Sequence, residues 1–392
     1  MPWELRKVED KRKELVLAYL AGTSMTILCY QYLVSRKTAY KWVNRFIETG
    51  SLESLSDISR APHNPARIFA EEQIKMALDL KLKHQTWGPK KVLAKLRMEH
   101  PYLIWPSPTW LYEIFKEKHL IVPRKLRKRV PATHPLGDVN ESNDVWTADF
   151  KGWFLTKNKE KCEPITITDG HSRFLISCLH LEKKTVEHVW PVFEEAFRTY
   201  GLPNRVRTDN GPPFGCIGAG RLTKLSINLI KAGVTPEWIN PGHPEENGRH
   251  ERFHLTLKKE IATPPARDLT DQLIRMKRFQ EEYNYERPHE ALGLETPGSH
   301  YFMSKRRWDG ILRPPEYDTG QMMVRKVCQS GCIWLNQREY FISQTIVGEY
   351  VGIKEGMDGE IEIHYGPVFL GRLKTNGLER PKIKPKKIIR RA

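Results

Sequence analysis

The sequence predicts a multidomain protein with all-α modules at its N-terminus, an α/β core in the middle and a small β-barrel near its C-terminus. A chain of 392 residues is too long to fold around one ordinary hydrophobic core, which predicts more than one domain. Residues 8–50 and 70–120 carry helical periodicity with capping and turn signals, whereas β-rich segments alternate with helical ones from Asp144 onward. After Pro297 only short β-type runs return, which is typical of a small barrel.

The N-terminal domain, residues 1–54, is predicted to be a helix-turn-helix module of three short helices. The first is the amphipathic segment from Lys11 to Leu20, and a short turn leads into the second. Ser35 can cap the third helix, which runs from Arg36 to Glu48 and ends at Gly50.

The third helix carries basic residues every four positions, at Lys37, Lys41 and Arg45, while Val43, Phe46 and Ile47 lie on another side. One basic face and one apolar face are what a helix needs to dock in a DNA groove. The alternative is a solvated helix of a plain three-helix bundle. The basic character of the whole chain favours a recognition helix with these three cations in contact with DNA.

A second helical domain is predicted at residues 70–122, after a proline-containing linker at residues 55–69. Its predicted helices are Ala70–Lys83, Pro89–Glu99 and Pro108–Lys118. Because cations including Lys90 and Lys91 recur along them, we interpret the domain as a second DNA-binding module, winged-helix or helix-turn-helix-like. A helical spacer is the alternative.

A basic linker is predicted at residues 123–142. It contains a run of cations that cannot bury itself and is expected to lie along phosphates: Arg124, Lys125, Arg127, Lys128 and Arg129. A solvated spacer is the alternative interpretation.

The core is predicted at residues 143–300, where the element order β-β-β-α-β-α-β-α implies one mixed sheet flanked by helices. The β-barrel is predicted at residues 301–375. The basic tail at residues 376–392 contains proline and is predicted to be disordered.

The net charge of +17, from 64 Lys and Arg against 47 Asp and Glu, favours a polyanionic partner. Ribosomal and membrane-surface proteins can be equally basic, so charge alone does not specify DNA. No run approaches the roughly 20 apolar residues that span a bilayer, and the first residues lack the apolar centre of a signal peptide. The six scattered cysteines are interpreted as reduced thiols. We therefore expect a cytoplasmic, nucleoid-associated protein.

Three acidic residues are candidates for metal-dependent chemistry. Asp149 lies inside the first core strand, Asp209 directly follows the fourth, and Glu251 lies on a later helix. If the two strands are neighbours and the helix packs across them, the three carboxylates converge. Such a cluster is tolerable when hard divalent cations sit between the acids, and two ions can clamp an in-line phosphoryl displacement. Taken singly, each acid could instead be a strand-edge, turn or surface residue.

The neighbourhoods of these acids resemble the catalytic core shared by retroviral integrases and bacterial insertion-sequence transposases. The matching segments are VWTADFKG with ITDGHSRF, RTDNGPPF, and HPEENGRHERFHLTLKKE with YNYERPHEALGLETP. They span about residues 140–300, and the bacterial branch fits better because no His-His-Cys-Cys zinc motif precedes the core. One departure is the 42-residue spacing from Asp209 to Glu251, longer than usual for the family, which we attribute to the glycine-rich segment 215–222.

The resemblance implies an RNase H-like fold with Asp149, Asp209 and Glu251 as catalytic metal ligands. It implies two Mg²⁺ ions per site, with Mn²⁺ as a substitute, and a DNA contact by Lys258. Four competing acids rank lower: Asp169, Glu245, Glu246 and Glu260. His250 and His254 are interpreted as helix-packing or DNA-contacting residues rather than metal ligands.

The expected function is that of a transposase that binds the ends of a mobile element, exposes 3′-hydroxyls and joins them to target DNA. The expected partners are double-stranded DNA and further copies of the chain, while a need for an accessory ATPase stays open. Two alternatives remain at this point. One is a non-catalytic DNA-binding regulator, and the other is a structure-specific nuclease that performs no strand transfer.

Overall fold

The computed structural model describes residues 8–57, 69–121, 139–240, 248–356, 360–374 and 377–380. The predicted basic run at 124–129, most of both predicted linkers, and all but four residues of the predicted tail lie outside these ranges. Two compact units are present, one up to Ile68 and one from Phe69 onward. No helix in the described ranges is long and apolar enough to cross a membrane.

The first unit contains the three predicted helices, α1 (Val8–Leu20), α2 (Met25–Tyr32) and α3 (Arg36–Thr49). Both caps predicted for α3 are confirmed, and the helix ends at Thr49, one residue after the predicted Glu48. The Ser35 hydroxyl accepts the Thr38 N–H at 3.2 Å, and Gly50 adopts φ 67°.

The apolar side of α3 faces α1 and α2 through Ala39 and Val43, which are fully buried. Lys37 and Lys41 are exposed and Arg45 is half-buried. Ile47, which the sequence placed on the apolar side, is 62% exposed. The packed stripe is therefore narrower than the hydrophobic pattern suggested.

The second helical domain consists of α4 (Glu71–Lys83), α5 (Pro89–Glu99) and α6 (Pro108–Glu117) around a core that includes Trp87 and Phe115. Within residues 69–121 no strand is present that could form a wing.

This domain docks on the core through the turn that follows α4. The Arg287 guanidinium lies 2.6 Å from the Glu260 carboxylate, which also accepts a hydrogen bond from the Thr86 hydroxyl. Beside them His84 Nδ1 lies 2.8 Å from the Glu282 carboxylate. A half-buried ion pair and its hydrogen bonds therefore fix the helical domain to the core.

The core sheet has the strand order β5-β4-β1-β6-β7. Its strands are β1 (Val145–Phe150), β4 (Pro164–Asp169), β5 (Leu175–His180), β6 (Arg205–Thr208) and β7 (Thr235–Trp238). The pairs β1–β4 and β4–β5 are antiparallel. The pairs β1–β6 and β6–β7 are parallel. A short hairpin, β2 (Phe154–Leu155) with β3 (Lys161–Cys162), follows β1.

Helices cover both faces of this sheet. On one side α7 (Val186–Tyr200) and α8 (Lys224–Lys231) pack on a cluster that includes Trp146 and Ile167. On the other, α9 (Gly248–Leu257) and α10 (Leu269–Glu281) pack with Leu175. A mixed five-stranded sheet of this order between helices is the RNase H-like fold, so that prediction is confirmed.

The core continues past the one-turn helix α11 (Pro297–His300). Tyr301 stacks on Phe174 with ring centroids 4.3 Å apart, and Trp308 packs edge-on against Phe197. The connection from the core to the C-terminal strands therefore lies along the core surface.

The C-terminal part forms two sheets. A five-stranded antiparallel sheet has the order β14-β13-β12-β11-β8, and β9 pairs with β10 as a hairpin. The strands are β8 (Met323–Lys326), β9 (Cys332–Leu335), β10 (Arg338–Phe341), β11 (Tyr350–Glu355), β12 (Ile361–Tyr365), β13 (Val368–Lys374) and β14 (Gly377–Glu379). No strand pairing joins the two sheets within the described residues. The predicted β structure is present, but closure into a barrel is not confirmed.

The two C-terminal sheets share a hydrophobic cluster with the core. Ile333 and Ile363 from the sheets pack with Ala219 and Leu222, which belong to the glycine-rich segment, and with Ile230 of α8. A single turn of 3₁₀ helix at Ala219–Arg221 makes this contact. The stretch between Asp209 and Glu251 thus includes a segment that docks the C-terminal sheets.

Gly220→Ala is expected to weaken this docking. Gly220 has φ 59°, and an added Cβ would lie 2.6 Å from Leu370 Cδ2. Gly293→Ala is the matched control, because its φ is 65° and nothing lies within 4 Å of the added atom. Both variants carry the ~1 kcal/mol strain of a left-handed alanine, and only Gly220→Ala adds a clash. Urea unfolding should show a clearly larger loss for Gly220→Ala, and equal losses would contradict close docking.

Glu260→Gln is expected to loosen the helical domain from the core. The substitution leaves the Arg287 guanidinium, 7% exposed, without its ion-pair partner. Removing one member of a buried pair costs about 3 kcal/mol. Glu286→Gln is the control, because its pair with Lys83 is 4.0 Å long and exposed and contributes less than ~1 kcal/mol. Limited proteolysis and unfolding midpoints should separate the two variants, and similar profiles would argue against the pair's role.

Candidate active site

The predicted carboxylates Asp149 and Asp209 lie at the same edge of the sheet. The parallel pairing of β1 with β6 matches Val145 to Arg205 and Thr147 to Arg207, an offset of 60 residues. Continued by two residues, this register sets Asp149 beside Asp209, on strands about 4.8 Å apart. Both residues are half-buried. The strand order therefore brings together two acids that are far apart in sequence.

Asp209 begins a loop that is held against the end of β7. Its carboxylate accepts the Gly211 N–H at 3.2 Å. The Asn210 amide donates to the Ile239 carbonyl at 2.8 Å, and Arg221 donates to Asn210 Oδ1 at 2.7 Å. Burial raises the pKa of Asp209, opposed by the Gly211 hydrogen bond and the Lys184 charge. A cation at this edge would relieve the cost of keeping the carboxylate ionised.

Glu251 lies in the first turn of α9 and is exposed. Its immediate neighbour His250 faces the sheet and is fully buried, while His254 lies one turn further along. Through these two histidines α9 packs over β4, whose Thr166 pairs with Asp149 of β1. The helix that carries Glu251 is therefore anchored at the strand position of the first acid.

The anchor is the hydroxyl of Thr166. It donates to the Asp149 carbonyl oxygen at 3.1 Å and lies 2.7 Å from His250 Nε2 and 2.9 Å from His254 Nε2. Thr168 adds a longer contact of 3.3 Å to His250 Nδ1. Two histidines four residues apart thus converge on one threonine below the acidic edge.

His254 also approaches the acid itself, with Nδ1 3.9 Å from Asp149 Oδ2. Ligand atoms of Asp149, His250 and His254 all lie within 4.8 Å of one another. Burial lowers the pKa of His254 to about 3, with a contribution from Lys151. Burial, with His254 nearby, also lowers the pKa of His250 well below its usual value. Both imidazoles are therefore neutral at pH 7.

Sequence reasoning did not anticipate this role for the histidines. It interpreted His250 and His254 as packing or DNA-contacting residues, and packing does describe His250. The available signal was their spacing of four residues, which puts both on one helical face, on the helix that bears Glu251. The threonine partner on β4 could be identified only once the strand pairing was known.

Lysines surround the acidic edge. Burial and the Lys258 charge both lower the pKa of Lys151, so the predicted DNA contact Lys258 lies near the strand that bears Asp149. Lys258 is exposed and begins the π-helical turn that follows α9. Lys184 Nζ lies 4.7 Å from the centre of the Phe150 ring and pairs with the Glu163 carboxylate at 2.6 Å. Lys151 and Lys258 are thus the cations near the acidic edge that could attract phosphates.

The other predicted DNA contacts are distributed over the two units. Lys90 is exposed on α5. Lys91 faces the core instead, and burial, with Arg287 nearby, lowers its pKa to about 8. The predicted contacts Arg124, Lys125, Arg127, Lys128 and Arg129 lie outside the described residues.

The competing acids have structural partners where they are described. Asp169 is buried and accepts hydrogen bonds from Asn143 N–H at 2.8 Å and from the Ser172 hydroxyl at 2.6 Å. Glu260 pairs with Arg287 in the docking contact described above. Glu245 and Glu246 lie outside the described residues.

Comparison with protein families identifies three matches. Residues 139–244 and 232–297 each match an integrase core domain, and residues 12–75 match a winged helix-turn helix. In the described part of that last range all regular elements are helical.

Among curated proteins, the chain is similar to an insertion element IS476 protein of Xanthomonas euvesicatoria, with 25% identity over 60% of this chain and 66% of the relative. It is also similar to the transposase InsD of insertion element IS2 from Escherichia coli, with 26% identity over 58% of this chain and 76% of the relative.

Two solved structures also match. The magnesium-bound catalytic core domain of HTLV-2 integrase covers 42% of this chain and 99% of its own, with 18% identity and a TM-score of 0.33. A simian T-cell lymphotropic virus intasome structure covers 76% of this chain and 99% of its own, with 14% identity and a TM-score of 0.38.

Thr166→Val is expected to destabilise the packing of α9 on β4. The variant keeps the side-chain shape but removes the hydroxyl that both imidazoles contact. A buried polar group left without a partner costs about 1–3 kcal/mol. We expect a loss of about 2 kcal/mol or more in urea unfolding and faster amide hydrogen exchange in α9. Thr168→Val is the control, because it removes only the 3.3 Å contact to His250. An equal effect of both variants would contradict a central role for Thr166.

Proposed function

We propose that this chain, a member of the insertion-sequence transposases that carry an integrase core domain, catalyses DNA transposition. The observation that carries the proposal is the placement of Asp149 and Asp209 at one sheet edge, beneath the helix that bears Glu251. The reaction proposed is polynucleotidyl transfer: cleavage of a phosphodiester at the element end, followed by joining of the freed 3′-hydroxyl to target DNA.

The donor set of this edge fits hard divalent cations. Carboxylate oxygens are the ligands that Mg²⁺ prefers, with Mn²⁺ as its usual substitute. Asp149, Asp209 and Glu251 would hold two such ions, and the raised pKa of Asp209 is consistent with a carboxylate that needs a counter-charge. When bound, the ions would supply Lewis-acid activation of the attacking oxygen and charge stabilisation at the leaving oxygen.

The residues around the acids orient the DNA. Lys151 and Lys258 offer ammonium groups to the phosphates near the scissile bond. His250, next to Glu251, and His254, one turn further along, fix α9 to Thr166, so the backbone that carries the exposed Glu251 side chain is held in place. Positioning of this kind is the main protein contribution to phosphoryl transfer.

The proposed reaction has two steps. The first step hydrolyses one phosphodiester bond, and the second step leaves the number of phosphodiester bonds unchanged. Water attacks the phosphorus at the element end, and the bond to the departing 3′-oxygen breaks to leave a 3′-hydroxyl. That hydroxyl then attacks a target phosphodiester, so one ester forms as another breaks. No covalent bond to the protein forms in either step.

The helical domains would recognise the element ends. In the first unit α3 presents Lys37 and Lys41 to solvent, as a groove-docking helix requires. The α4–α6 domain is fixed to the core and presents Lys90. Because two element ends must be joined to one target, we further propose that several copies of the chain act together on double-stranded DNA.

Glu251→Gln is expected to abolish joining in a strand-transfer assay. The assay contains Mg²⁺, a pre-cut duplex with the native element end, and plasmid target. Loss of a ligand carboxylate should lower the joining rate at least about 100-fold, while binding to the end duplex persists. Glu195→Gln, on the exposed side of α7, is the matched control and should join normally.

Other outcomes identify other functions. Cleavage without joining by the wild-type chain would favour a structure-specific nuclease. Sequence-specific binding without any product, across several metals and candidate partners, would favour a DNA-binding regulator.

A further inference from the structure

The hydrogen bonds below the acidic edge engage one ring nitrogen of each histidine. The Thr166 hydroxyl lies 3.1 Å from the Asp149 carbonyl oxygen, 2.7 Å from His250 Nε2 and 2.9 Å from His254 Nε2. Because Nε2 of His254 is held by Thr166, Nδ1 is the ring nitrogen of His254 that lies towards the acidic edge.

The two Nδ1 atoms have different surroundings. Nδ1 of His250 lies 3.3 Å from the Thr168 hydroxyl. Nδ1 of His254 lies 3.9 Å from Asp149 Oδ2, and the ligand atoms of Asp149, His250 and His254 all lie within 4.8 Å of one another. A divalent cation between His254 Nδ1 and Asp149 Oδ2 would be attracted by both atoms.

This arrangement is typical of a histidine that binds a metal. Such a histidine usually donates its other ring N–H to a fixed acceptor, which orients the ring and sets the tautomer. The Thr166 hydroxyl is the fixed partner of Nε2 in His254, at 2.9 Å. Two atoms that bind one ion at about 2.1 Å lie about 3.0–3.4 Å apart, so small side-chain rotations would bring both to one ion.

We propose that His254 is a nitrogen ligand of the divalent ion held by Asp149, so that one of the two ion sites has a mixed oxygen and nitrogen donor set. The proposal rests on the proposed function, because it concerns an ion of that active site. Imidazole binds transition metals better than it binds Mg²⁺. The site should therefore prefer Mn²⁺ and Co²⁺ to Mg²⁺, whereas a site of carboxylates alone would discriminate less. His250 stays a positioning residue, because both of its ring nitrogens are engaged.

The test is pulsed electron paramagnetic resonance of the full-length chain with less than one equivalent of Mn²⁺. The wild type should show the ¹⁴N coupling of a directly bound imidazole, and His254→Asn should lose it together with about 10-fold or more in Mn²⁺ affinity. His119→Asn is the matched control, since His119 is exposed and its φ of 55° suits asparagine. Circular dichroism and unfolding midpoints establish that each variant folds, and His254→Gln repeats the test if asparagine does not.

The outcomes separate the two proposals. Mn²⁺ bound to the wild type without an imidazole coupling, or with a coupling that persists in His254→Asn, overturns the role of His254 and leaves the transposase proposal intact. Such a result would mean that His254 forms only a hydrogen bond network with Asp149. Failure of the wild type to bind Mn²⁺ at all, together with no loss of joining in Glu251→Gln, would overturn both.

Discussion

The proposed site depends on one constraint: a helix must hold a carboxylate over a sheet edge where two other carboxylates already lie. Parallel pairing of β1 with β6 brings Asp149 and Asp209 to the same edge. In the proposed site these two carboxylates would repel each other, and Glu251 on α9 would add to that repulsion. The Thr166 hydroxyl holds α9 in place from below, because two buried imidazoles converge on it. The fold therefore holds α9 in place at a proposed site where repulsion between the carboxylates would favour their separation.

The same helix also connects the chemistry to DNA recognition. α9 continues into the π-helical turn Lys258–Ala262, and Glu260 of that turn receives Arg287 and the Thr86 hydroxyl from the docked α4–α6 domain. One continuous segment of about 15 residues thus carries Glu251, Lys258 and the docking acid. An exposed Glu260 would have been a plausible rival ligand. Its half-buried pair with Arg287 shows that the docking contact uses this carboxylate, which leaves Glu251 as the acid that faces solvent on this helix.

Much of this architecture could be predicted from the sequence, since local signals and the family resemblance agree. Ser35 and Gly50 bound α3 as their capping chemistry requires, and the order of core elements implied the mixed sheet. What could not be predicted depends on contacts between distant segments. The role of His254 requires Thr166, 88 residues earlier in the chain. Lys91 is predicted as a DNA contact because it recurs with other cations, and its half-buried position against the core could not be read from that pattern. Closure of the C-terminal sheets depends on strand pairings that periodicity does not specify.

The segment that follows Asp209 connects the acidic edge to the C-terminal sheets. It leaves the edge, forms the turn at Ala219–Arg221 and enters the cluster shared by α8 and the C-terminal sheets. Arg221 then reaches back to Asn210, the residue next to Asp209, at 2.7 Å. The segment is therefore fixed at both its outer and inner ends. Because its outer contact is apolar and its inner contact is a charge-assisted hydrogen bond, docking of the C-terminal sheets and the shape of the Asp209 loop are mechanically linked within one compact unit.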